Sequence, residues 1–397
     1  MANQLHNCHI HLPPNFAAFN RVEQAVTLAA EQGVRVLGAS NYYDFTVYGE
    51  FAAQTRKQGI FPLFGIEIIA LLDDLAARGI KINDPGNPGK MYLCGKGLSR
   101  FEKLSPAAAA LLQKIRANDR QRMARMVELL AGRFEESGVR TGLTEQAIKE
   151  RIVKRHNCPL ATVYLQERHV AQAFQEALFE QVPLAQRLAA LEKICGAAPK
   201  AKPDEAVKIQ NELRSHLMKA GKPGYVEEKF VCFEEAYRLV LELGGVPCYP
   251  VLADGTSPIC GFEAPASQLA ETLRARQIHC AEFIPLRNKP EVLTEYVTTL
   301  RKGGIVVTGG TEHNTLDLVP LAPACAGGAP IPQAVQEIFW EGTCVVAAHQ
   351  SLARKGECGL VDGAGALNPR YDSSEARIAA LRQIGAAEIE KHLAGEK

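Results

Sequence analysis

Seven short apolar runs, separated by stretches of helical periodicity, constrain this chain more than any other feature. They are Asn7–Leu12, Val34–Ala39, Phe61–Ile69, Met91–Cys94, Val246–Leu252, Ala281–Pro285 and Gly304–Thr308. Runs of this length, bounded by Gly or Pro and rich in Val, Ile, Leu and Phe, are expected of buried parallel strands. Between the first two, Val22, Ala25, Val26, Ala29 and Ala30 mark one helical face, which Gly33 ends. Strand, helix, strand is the grammar of an α/β fold. Seven such strands predict a (β/α)7 TIM-like barrel, closed or nearly so.

The middle breaks this rhythm. From about Ser105 to Leu243 the chain is rich in Ala, Leu, Glu, Lys and Arg, and Asp119–Glu136, Glu145–Arg155 and Glu167–Glu180 read as amphipathic helices. Ala197–Pro203 reads as a surface linker. The predicted organisation is a barrel over 1–103 and 241–397, with a helical insertion over 104–240 covering its mouth. A C-terminal helical tail ends in a charged helix from Ser374. The 397 residues can bury a large core. With 45 basic and 44 acidic side chains the net charge is +1, which argues against an extended nucleic-acid or membrane surface. No run approaches the roughly 18 apolar residues of a bilayer span. Met1–His6 lacks the basic-then-apolar pattern of a secretory leader, so a cytoplasmic location is expected. The eleven cysteines, none in a C-x-x-C pair, read as free thiols, several of them buried.

Three clusters carry ligand chemistry. His9-Ile10-His11 places two imidazoles on one face of a strand, half of a metal site. Glu67, at the end of the buried run Phe61-Pro62-Leu63-Phe64-Gly65-Ile66, is a costly charge unless paired or bound to a metal. Gly309-Gly310-Thr311-Glu312-His313-Asn314 puts oxygen and nitrogen donors into a sharp turn after the last strand. Lys96, Arg168 and Arg287 are cations placed to clamp a phosphate or carboxylate.

Together these residues resemble the polymerase-and-histidinol-phosphatase (PHP) superfamily of metal-dependent, mostly phosphoester-cleaving barrels, which implies that the (β/α)7 TIM-like barrel is distorted. Asn7-Cys8-His9-Ile10-His11 is similar to its D-x-H-x-H motif, Phe64-Gly65-Ile66-Glu67 to its G-x-E, and Gly310–Asn314 to its G-S-D-x-H. Arg168-His169-Val170-Ala171 resembles a stretch in the helical insert of its nucleoside-phosphate phosphoesterases. Three histidines of the pattern are replaced by Tyr42, Tyr92 and Tyr249. Neutral phenols are poor ligands, so the resemblance implies fewer than the family's three ions. It implies one divalent ion (Zn, Mn or Fe) on His9, His11, Glu67 and Glu312, with His313 as acid or base. Arg168, Arg287 and Lys96 would hold phosphate, and the tyrosines would donate hydrogen bonds to substrate. The expected activity is hydrolysis of a small phosphorylated metabolite or nucleotide. A single-metal sugar or sugar-acid isomerase or lyase and a non-catalytic binding barrel are the alternatives.

Overall fold

The computed structural model describes residues 4–395. Met1–Asn3, which open the segment read for a leader, and Glu396–Lys397, which end the charged tail, lie outside the described residues. The described residues form eight strands: β1 (His6–Ile10), β2 (Val36–Ala39), β3 (Phe61–Leu71), β4 (Lys90–Lys96), β5 (Val231–Cys232), β6 (Val246–Val251), β7 (Cys280–Phe283) and β8 (Val306–Gly309). All seven expected runs are among them. The two-residue β5, which the sequence did not signal, pairs with the end of β3. The others follow the order β1-β2-β3-β4-β6-β7-β8. A bridge from Ile10 to Glu312, with His11 N donating to the Glu312 carbonyl at 2.9 Å, brings the last motif back to the first. The result is a nearly closed barrel.

One strand corrects the parallel expectation: β4 runs antiparallel to both β3 and β6. Its connection from β3, residues 72–89, carries only the one-turn helix Asp73–Ala77. The reversal carries Lys90 toward the mouth and Lys96 toward the floor. Lys96 therefore sits opposite Gly65, below Glu67, rather than at the mouth.

β1 is also irregular, with a register slip between Asn7 and Ile10. Cys8 packs in the floor cluster while His9 reaches Glu67 and Glu282. Simple alternation cannot send two adjacent side chains inward; a bulge can.

The floor is sealed by the tail. Helix Gln333–Arg354 sets Trp340, Cys344 and Val345 against Cys8, Val36, Cys94, Cys248 and Val306. Helix Ser374–Leu393 packs beneath it. A Cβ on Gly385 would lie 1.7 Å from the Cys344 carbonyl oxygen, so the two tail helices touch backbone to backbone. Gly385→Ala is expected to cost roughly 1–3 kcal/mol through overpacking, read as a lower denaturant midpoint at unchanged slope.

Helix Pro106–Glu136 begins where Ser105 accepts a hydrogen bond from Ala108 N and Pro106 supplies a preset φ. Ala108, Leu112 and Ile115 pack on the barrel core, whereas Met123–Phe134 pack on a second core with Ile148, Phe174, Leu191 and Ile209. One continuous helix thus joins the two cores. Helix Phe233–Glu242 packs against β3, β4 and β6 of the barrel. No helix among the described residues is long and apolar enough to cross a membrane.

Candidate active site

A cavity of about 490 Å³ opens between the barrel mouth and the insertion. The barrel contributes His9, Tyr42, Glu67, Tyr92, Glu282 and Arg287, and the insertion contributes Asp119, Arg122, Arg168 and Arg214.

At its base three donors converge. His9 Nε2 and His11 Nε2 lie 3.4 Å apart, and Glu67 Oε2 lies 3.4 Å from the first and 3.5 Å from the second. These are the edge lengths of a tetrahedron whose corners lie about 2.1 Å from its centre, the bond length of a transition ion to such ligands. His9 Nδ1 is 2.9 Å from Glu282 Oε1, which leaves Nε2 free to ligate when the proton sits on Nδ1. The His11 ring stacks on Tyr42 at 5.2 Å and 7°. The Tyr42 hydroxyl donates to Glu67 Oε1, turning the other oxygen to the histidines. The residues present therefore fit one divalent ion.

The backbone around them is pinned. Asn41 Oδ1 accepts from Leu12 N at 2.8 Å and its amide donates to Leu12 O at 2.9 Å, holding the chain just beyond His11. Asn7, where the resembled motif has aspartate, bonds Thr311 and Leu321, so its side chain serves barrel closure.

Burial alone would raise Glu67, but the hydrogen bonds of His11 and His9 hold its carboxyl well below the usual range. Burial lowers His11, outweighing Glu67; at His9 burial also lowers, but the Glu282 charge and the hydrogen bonds of Glu282 and Glu67 together overcome it and raise the imidazole. Glu282, which sequence reasoning missed, is held down to about 2: burial opposes ionisation, and His9 and Lys96 overcome it. Its signal was present, since a carboxylate within Cys280-Ala281-Glu282-Phe283 poses the same buried-charge problem as Glu67. Lys96 is 2% exposed and pairs with Glu282 at 2.6 Å, so it faces the floor of the site rather than the cavity mouth.

The remaining expected residues divide. Glu312 lines the cavity but pairs with Arg287 and is not part of the His9–His11–Glu67 donor group. His313 does not face the cavity. Its Nδ1 meets Thr311 Oγ1 at 2.7 Å, its Nε2 meets the Val319 carbonyl at 2.9 Å, and Phe19 stacks on it. Glu312 and His313 both have positive φ (67° and 53°), and this left-handed turn sends His313 away from the site where a strand's alternation would not. Both ring nitrogens are therefore engaged away from the donor triangle.

Arg168 opens the helix Glu167–Gln181, whose first turn is locked by reciprocal bonds between Gln166 and His169. Gln166 Oε1 also accepts from Phe16 N at 2.7 Å, tying the insertion to the loop after β1. Burial lowers the Arg168 guanidinium to about 10, and the Arg214 charge adds to this. The Arg287 charge also lowers it, and Tyr42 and Tyr92 act in the opposite direction. Arg214 Nε is buried without a hydrogen-bond partner. Around the rim, Lys90 pairs with Glu228 at 2.9 Å and Arg122 with Glu167 at 2.5 Å, linking β4 to the insertion.

Tyr249 lies on the outer face of β6, and its neighbour Pro250 lines the cavity instead. The Tyr249 hydroxyl donates to Glu263 Oε1 at 2.8 Å, and Leu252 N and Ala253 N donate to the same carboxylate. Burial pushes Glu263 up to about 7 against these donors. A raised carboxyl holds its proton more tightly when folded. That contribution is complete below about pH 4.5 and is lost as pH rises through about 7, on the order of 3 kcal/mol. Glu263→Gln is expected to flatten this loss, read from thermal midpoints between about pH 5 and 8.

No protein-family model and no curated protein matches the chain. Two solved structures are among those that share its fold. One is a protein assigned as a metal-dependent phosphoesterase from Bifidobacterium adolescentis, with a TM-score of 0.57 and 16% identity over 85% of this chain and 97% of that one. The other is an amidohydrolase from Chromobacterium violaceum that carries bound sulfate and no metal, with a TM-score of 0.52 and 16% identity over 84% and 96%. At that identity the likeness establishes the barrel architecture.

Proposed function

We propose that this chain is a single-metal hydrolase of small phosphate esters. The observation that carries the reading is one cavity holding two complementary parts: a buried triangle of ligand atoms and a group of three arginines, Arg168, Arg214 and Arg287. His9, His11 and Glu67 would hold a divalent ion such as Zn, Mn or Fe. When bound, the ion supplies Lewis acidity toward a phosphoryl oxygen and toward water. Arg168, with Arg214 and Arg287 beside it, takes the charge of the phosphate by paired N–H donors. Tyr42 holds Glu67 in position, and Tyr92, pushed up to about 12 mainly by burial, stays a neutral hydrogen-bond donor. The insertion's leucine and methionine side chains, Leu165, Met123 and Met218, limit water in the cavity.

The test is elemental analysis of the purified protein followed by a phosphoester panel with the metal-loaded chain. About one ion per chain and release of inorganic phosphate are expected. Bound metal without phosphate release, but with turnover of uronates or ketoses, would replace hydrolysis by isomerase or lyase chemistry. Arg168→Ala is expected to raise KM for the preferred ester by about 10- to 100-fold, the loss of one charge-assisted contact of roughly 1.5–3 kcal/mol.

A further inference from the structure

Beneath the His9–His11–Glu67 triangle, a second set of donors already surrounds a cation, and the chain itself supplies it. Lys96 Nζ lies 2.6 Å from Glu282 Oε2, 3.1 Å from the Cys8 carbonyl, 3.3 Å from Ser40 Oγ and 3.4 Å from His9 Nδ1. The ligand atoms of His9, Cys94 and Glu282 lie within 4.8 Å of one another, and all three residues are buried. Nitrogen, sulfur and carboxylate oxygen together suit a borderline-soft divalent ion such as zinc. Lys96 reaches this place because β4 is reversed, so that Cys94 stands opposite Glu67 and Lys96 one step deeper on the same face.

We propose that the Lys96 ammonium is a built-in cation that occupies a second cation position and restricts the centre to one metal ion. The inference rests on the single-metal reading above and names what enforces it. An ammonium and a divalent ion cannot share one carboxylate at this separation in a dry interior, because their repulsion is barely screened there. With Lys96 in place, Glu282 is neutralised and its other oxygen is left to orient His9. With the ammonium removed, the same carboxylate, the Cys94 thiolate and His9 Nδ1, the last two having released their protons to water, become three ligands. The space vacated by three methylenes and the ammonium admits an ion and water.

The test is a cobalt(II) titration of the wild type, Lys96→Ala and Lys96→Arg, reading ions retained per folded chain, the absorption spectrum and the thermal midpoint. The wild type and Lys96→Arg are expected to retain one ion. Lys96→Ala should retain two, show a thiolate-to-cobalt band that the others lack, and gain more thermal stability from cobalt than they do. Two ions in the wild type would overturn the proposal, as would a folded Lys96→Ala that stays at one. So would a Lys96→Ala that remains unfolded in excess cobalt while Lys96→Arg folds, since the ammonium would then be a charge no ion replaces. A wild type that binds no ion would sink the single-metal reading itself, a result distinct from any of these.

Discussion

His11→Ala and Glu67→Gln are each expected to lower the bound metal from about one ion per chain to near zero and to slow phosphate release by roughly a thousandfold or more. The donor triangle has three corners, and each substitution removes one of them. Two protein ligands leave an ion mostly to water, and the several kcal/mol of charge stabilisation that a fixed ion supplies go with it. The two variants should differ in stability. His11 is stacked on Tyr42 and fully buried, so truncation also leaves a void. Glu67→Gln keeps the shape and can still accept from Tyr42. Loss of activity and metal in Glu67→Gln at a near-normal thermal midpoint therefore isolates the ligand role from packing. Tyr42→Phe keeps the stacking but frees Glu67 Oε1, and a 10- to 100-fold weaker metal affinity is expected, as for other residues that orient a ligand. Atomic absorption after dialysis and phosphate release read the two effects separately. Retention of a full ion by Glu67→Gln would remove the triangle as the binding site.

How much of this site could be read from the sequence depended on which physical signal each residue carried. The seven strands were legible because an apolar run long enough to be buried has few other uses, and Glu67 because a charge ending such a run needs a partner. The direction of β4 was not legible, since hydrophobicity carries no polarity along the chain. That loss moved Lys96 from the expected anion clamp to the floor. His9 and His11 were paired by the i, i+2 rule, and they do converge on Glu67 with Ile10 facing the opposite way, while the register slip between Asn7 and Ile10 accounts for Cys8 facing inward beside His9. In the last motif the rule fails altogether: Glu312 and His313 lie in a left-handed turn, where facing cannot be counted from spacing. Tyr249 stood one residue from the inward position that Pro250 takes. Glu282 was missed although it poses the same problem as Glu67, because no neighbouring ligand residue drew attention to it. Arg214 sits in a π-helical turn, Arg214–Met218, and meets Arg168 only through the insertion's tertiary packing, which no local pattern announces.

The largest expected loss of stability comes from Glu282→Ala. Its carboxylate and the Lys96 ammonium are both essentially inaccessible to water, at 0% and 3% side-chain exposure. Removing one partner of such a pair leaves an uncompensated buried charge, a cost of about 3–5 kcal/mol, and His9 loses its orienting acceptor as well. Removing both charges should cost much less. Lys96→Met/Glu282→Leu fills the space with apolar volume, so most of the loss should be recovered, and the double-mutant cycle should show strong coupling between the two sites. Acid titration gives an independent check. Glu282 is held down to about 2, so its contribution is fully present above the unfolded carboxyl's value near 4.5 and is lost as pH falls through about 2. Urea unfolding at about pH 7 and about pH 3 should therefore show the wild type losing stability toward acid and the double variant losing less. This slope is opposite to that of Glu263, whose raised carboxyl loses stability toward base, so the two variants can be told apart by the sign of their pH dependence alone. Equal stability of Glu282→Ala and the double variant would mean that Lys96 finds another partner in the floor of the barrel.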